Sequence, residues 1–136
     1  MLDPLNIPEV QPQEMLARYI FSQSQFSKTQ GRIKAGAFLP PRNLELSVTR
    51  HRDASEAKVW ALGIDAAQQS ERTLHGRADT LALTYQSQEL RTNADPQPEN
   101  PNHAIVVGWP EDDKPAQKLI AQQIAAVAKF VPVTTI

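Results

Sequence analysis

The clearest hydrophobic pattern in the chain lies between Asn102 and Val131. His103 leads the uninterrupted apolar run Ala-Ile-Val-Val-Gly-Trp, bounded by Pro101 and Pro110. A short β-branched run between prolines reads as a buried strand, here over 103–109. Glu111, Asp112 and Asp113 then stand where a helix begins, complementing the positive end of its dipole. Pro115 suits the first helical turn. Leu119, Ile120, Ile124, Val127 and Val131 recur at helical spacing and predict an amphipathic helix over 115–130 that Pro132 ends.

Two further patterns are legible. Leu44, Leu46 and Val48 alternate with Glu45, Ser47 and Thr49, which predicts a half-buried strand over 44–50. Ala57, Trp60, Ala61, Ile64 and Ala67 share one face of a helix expected over 54–68, capped by Asp53 or Ser55. Trp60 reads as its core anchor. Gly63 weakens that helix, which implies close packing or a break there. Glu14–Phe21 fits a short helix or a strand over Arg18–Phe21. Ser70–Asp79 reads as a loop, and Leu81–Tyr85 as a strand or one helical turn. Glu89–Asn93 suits an edge strand that leads into the stiff linker Ala94–Asn102.

These elements predict an α/β or α+β fold, a small mixed sheet with two main amphipathic helices packed on it. Residues 1–13, with Pro4, Pro8 and Pro12, form an extended arm ahead of a single domain over 14–136. The 136-residue length suits one core. Cysteine is absent, so disulfides and thiolate metal sites are excluded. No apolar run is long enough to span a membrane, and the first residues lack the pattern of a secretory signal. A cytoplasmic protein is the expectation.

Charge changes this picture locally. Overall charge is −1, yet residues 28–52 carry about +5 and residues 95–113 carry about −5. A basic stretch can meet a polyanion, or it can face the acidic one or water. Arg50, His51 and Arg52 stand at the carboxyl end of the predicted strand, where ligands gather in open α/β sheets. With Arg32, Lys34 and Arg77 these arginines are the candidate anion-binding set. His51, His75 and His103 are the candidate acid–base residues. His75, Gly76 and Arg77 also suit a plain turn, and His103 a structural role. The histidines match no metal-binding spacing, no cofactor motif is present, and no nucleophile elbow or phosphate loop appears.

Two blocks carry a resemblance. One is Arg32-Ile33-Lys34, Phe38-Leu39-Pro40 and Leu44-Glu45-Leu46-Ser47-Val48-Thr49-Arg50. The other is Asp95-Pro96, Pro98-Glu99-Asn100-Pro101-Asn102-His103-Ala104 and Ile105-Val106-Val107-Gly108. Together they resemble small single-domain bacterial proteins of unknown function, which implies a bacterial, cytoplasmic setting. The missing catalytic signature, the proline-rich arm and the bipolar charge point instead to a non-catalytic interaction or accessory module, docking on a larger protein through the arm and the basic segment that includes Arg50 and Arg52. An enzyme acting on a nucleotide or nucleic-acid phosphate is the alternative, as is a nucleic-acid-binding protein using 28–52. A pI near 6.3 argues against the last.

Overall fold

A computed structural model describes residues 1–134. The fold is α+β. Its strands are β1 (Met15–Ile20), β2 (Phe26–Ser27), β3 (Arg32–Ile33), β4 (Leu46–Arg50), β5 (Gly76–Leu81), β6 (Arg91–Ala94), β7 (His103–Val107) and β8 (Lys129–Pro132). Its helices are α1 (Glu56–Gln69), α2 (Ala82–Gln86) and α3 (Lys114–Val127). Six strands form one sheet in the order β6-β7-β4-β1-β5-β8, and β2 pairs with β3 separately. Every ladder is antiparallel.

Two crossovers shape the sheet. β4 and β5 both run antiparallel to β1 and are therefore parallel to each other, with α1 joining them. β7 and β8 are parallel for the same reason and are joined by α3. Successive strand residues face opposite sides, and each helix takes one side. Leu16, Ile20, Leu46, Val48, Ala104 and Val106 pack with Phe38, Tyr85 and Ile124 into the main core. Ala17 and Tyr19 pack with Val59 on the α1 side.

The two long helices begin as their sequences dictate. The Ser55 side chain accepts from the Lys58 amide at α1, and Asp113 accepts from the Ala116 amide at α3. Along α1 the buried positions are Val59, Gly63 and Ala67. A Cβ on Gly63 would lie 2.6 Å from Cε1 of Tyr19, so glycine there lets the helix settle on the tyrosine ring. Trp60 is only half-buried, and its ring carries the Arg77 guanidinium at 4.6 Å. It is an arginine platform rather than the core anchor expected.

The α3 face also departs from the expected stripe. Gln117, Ala121, Ile124 and Ala125 are buried, whereas Leu119 and Val127 are 56% and 66% exposed. Small alanines let the helix lie close against the turn Ala35–Phe38, and the Gln117 amide donates to Pro110 O at 2.6 Å. The helix stops at Val127, and Lys129–Pro132 becomes β8 rather than a last helical turn. Residues 76–79, read as loop from their Gly, Arg and Asp, belong to the long strand β5. Leu81–Tyr85 divides between the end of β5 and the start of α2. Within Glu14–Phe21 the chain forms the strand Met15–Ile20, and Arg91–Ala94 is an edge strand.

Candidate functional site

The residues nominated from the sequence are dispersed. Arg50 is fully buried on the main core side. Its Nε and Nη2 donate to the two carboxylate oxygens of Glu14, each at 2.7 Å. Nη1 and Nη2 also reach the carbonyls of Pro8 and Glu9, so this cation is committed inside the fold. The same bonds hold the proline-rich arm on the sheet, where Leu2 is buried as well. Arg52 lies beside Glu14 at 3.4 Å and is partly exposed. Glu14 is held below the usual carboxylate range: burial would raise it, but hydrogen bonds from Arg50 and the Gln11 amide and the two arginine charges outweigh that.

Arg77 is buried on the α1 side. Its Nε donates to Asp79 at 3.0 Å and its Nη2 pairs with Glu56 at 2.7 Å. Asp79 also meets Nε2 of His51 at 2.9 Å. His51 and Arg77 thus share one carboxylate, which these partners hold below its ordinary range despite burial. His75 stands elsewhere, its ring tilted against Phe26 with centroids 5.5 Å apart. Arg32 and Lys34 are exposed at the β2–β3 hairpin. The three histidines do not converge, and the cations do not form one anion site.

What the structure brings together is a cleft of about 390 Å³ on the α1 side of the sheet. Two features of the fold open it. The β1–β4 ladder is short, pairing only Leu16–Ala17 with Thr49–Arg50, so the strands part beyond it. The α1 crossover spans β4, β1 and β5 and leaves β7 and β6 without a helix on that face. Accordingly His103, Ile105 and Val107 are only half-buried, while Ala104 and Val106 on the other face are fully buried.

Arg18 lies deep in this cleft, in the gap between β1 and β4. Its Nε donates to Ala37 O and its Nη1 to Ser47 O, both at 3.0 Å. Among the described residues it has no carboxylate partner, and Nη2 makes no hydrogen bond. Burial lowers its pKa, and the Arg72 charge adds to that against an opposing contribution from Tyr85. Arginine nonetheless stays protonated in proteins. Arg72 stacks on the Phe21 ring at 4.1 Å and also lines the cleft. Neither arginine was nominated from the sequence. For Arg18 a signal existed, since it stands between Leu16 and Ile20 on the inward side of a strand, where a cation needs a reason.

His103 lines the same cleft. Its Nδ1 lies 3.0 Å from both the main-chain and a carboxylate oxygen of Asp95. Two acceptors fix Nδ1 as the donor, which leaves Nε2 as an acceptor in the neutral ring. Neighbouring Asn100 donates to Thr49 Oγ1 at 3.1 Å. The wall is thus rich in fixed hydrogen-bonding groups. No group of three or more His, Asp or Glu residues is arranged to hold a metal among the described residues. Nor is any described helix long and apolar enough to cross a membrane.

Comparison of the chain with protein-family models, with curated proteins and with solved structures finds no significant match.

Proposed function

We propose that this protein is a non-catalytic interaction module that docks on a larger protein in the bacterial cytoplasm. The observation that carries the reading is the half-open sheet face. One crossover helix covers β1 and β5 and leaves the β4–β7 side bordering a lined cleft. A partner segment laid there would complete the missing cover. The proline-rich arm and Arg50, which the sequence offered for docking, serve the fold itself.

A second reading rests on the His103–Asp95 pair. Its free Nε2 in a cleft beside two arginines suits general-base chemistry on an anionic substrate. The basic segment 28–52 favours nucleic acid less, because its internal arginine is consumed by Glu14.

Native co-purification of the full chain with and without Ser47→Trp tests the docking reading. Ser47 is exposed and lines the cleft, so a bulky ring there blocks it without disturbing the core. The expected result is a stoichiometric protein retained by the parent chain and lost by the variant. Retention by both would place docking elsewhere. Turnover abolished by His103→Ala would support the enzyme instead.

A further inference from the structure

The charged groups that line the cleft are not paired with one another. Arg18 and Arg72 line it together with Glu45, Asp65 and Glu99. None of these five joins an ion pair among the described residues. Arg18 retains N–H donors beyond those given to Ala37 O and Ser47 O. Two cations and three carboxylates therefore share one concave surface without neutralising one another.

This pattern discriminates among ligands. A nucleotide or other polyphosphate brings several negative charges against three carboxylates, which repel it. A purely basic ligand meets the cations of Arg18 and Arg72. A ligand carrying both signs satisfies both sets. The remaining lining includes Gln69 and Gln97, whose carboxamides match the donors and acceptors of a peptide backbone.

Building on the docking reading above, we infer that the cleft receives a mixed-charge peptide segment of the partner protein. An Asp or Glu side chain of that segment lies on Arg18, and a neighbouring Lys or Arg faces Glu45, Asp65 and Glu99. The guanidinium fork accepts a carboxylate in the plane that a lysine could not reproduce.

Panning a randomised twelve-residue displayed peptide library on the full chain tests this, followed by fluorescence anisotropy on synthetic copies of the selected peptides. The expected peptides pair an acidic with a basic residue. Their affinity falls at least tenfold in Arg18→Lys and in Asp65→Lys, and adenosine triphosphate does not displace them. Asp65 is exposed on α1, so its variant reads the cleft even if Arg18→Lys folds poorly. Selection of uniformly acidic or apolar peptides, selection of none, displacement by the nucleotide, or indifference to Asp65→Lys would each overturn the inference. A co-purifying partner lost with Ser47→Trp but retained by Asp65→Lys would leave the docking reading standing and remove this one alone.

Discussion

Glu14 and Arg50 form a side-on, two-bond ion pair inside the fold, with exposures of 6% and 0% for their side chains. The pair joins the start of β1 to the end of β4 and holds the arm through two carbonyls. Removing one partner strands the other charge away from water. Arg50→Met or Glu14→Gln is expected to cost about 3–5 kcal/mol, and Arg50→Met/Glu14→Gln less than the sum of its parts. Urea unfolding of the three variants measures this, and equal additive losses would show that the charges do not depend on each other.

The same carboxylate sets part of the acid sensitivity. Glu14 and Asp79 both have folded pKa values below their ordinary 4.5 and 3.8. A depressed carboxylate stabilises the fold fully above its unfolded pKa, and that stability is lost as pH falls through the folded value. Stability should therefore hold near neutrality and decline once pH drops below about 4.5. In Glu14→Gln the decline should be shallower, so the gap to the parent chain narrows in acid. Denaturant titrations at neutral pH and in acid read that gap directly, and a gap that widens in acid would contradict the depressed Glu14 pKa.

How much of this was legible in the sequence depends on whether a residue answers to its own strand or to a distant one. The period-two pattern of Leu46, Ser47 and Val48 correctly gives a half-buried strand, because one face meets the core and the other the cleft. The starts of α1 and α3 were visible through Ser55 and the acidic residues before Pro115. β5 was hidden because Gly76 and Asp79 are chosen by neighbours. A Cβ on Gly76 would meet Val131 O at 2.6 Å, and Asp79 serves His51 and Arg77. β8 was hidden because Phe130 and Val131 prolong the apolar rhythm of α3. The cleft had no local signature, since it comes from the parting of β1 from β4 and from which strands α1 crosses.

Gly63 offers a test in which two effects oppose each other. Alanine in a helix interior gains about 1 kcal/mol over glycine. Here its Cβ would sit 2.6 Å from the Tyr19 ring, whose hydroxyl is tied to Val59 O. Displacing a held ring in a packed interior costs about 1–3 kcal/mol, so Gly63→Ala should destabilise on balance. The sign should reverse in a Tyr19→Leu background, where the ring is gone. Thermal melts of the four chains in this cycle decide it.

The orientation of α3 predicts an inverted sensitivity along one helix. Leu119 is 56% exposed and Ala121 is fully buried. Leu119→Ser should change stability by no more than about 0.5 kcal/mol, as exposed substitutions usually do. Ala121→Leu adds three carbons where the helix meets the Ala35–Phe38 turn and should cost about 1–3 kcal/mol. The opposite ranking in chemical denaturation would mean that the helix packs on its Leu119 stripe.

Asn102 explains why an asparagine precedes His103. It is fully buried and its carboxamide satisfies three groups from two parts of the chain. Nδ2 donates to Arg50 O and Arg52 O, each at 2.8 Å, and Oδ1 accepts the Leu2 amide at 2.9 Å. The side chain therefore clasps the end of β4 and the beginning of the arm together. Alanine deletes all three bonds and leaves the Leu2 amide without its acceptor. At about 1 kcal/mol per bond, with more for a buried group left unpaired, Asn102→Ala should lose roughly 3 kcal/mol. Aspartate is isosteric but presents a second acceptor to two carbonyls, so Asn102→Asp should fare no better above the carboxylate range. The local consequence is sharper than the global one. Release of Leu2 exposes residues 1–13, and limited proteolysis of Asn102→Ala should cut within them well before the sheet is attacked. If the arm stays as resistant as in the parent chain, the Pro8 and Glu9 carbonyls on Arg50 are sufficient to hold it, and Asn102 acts on β4 alone.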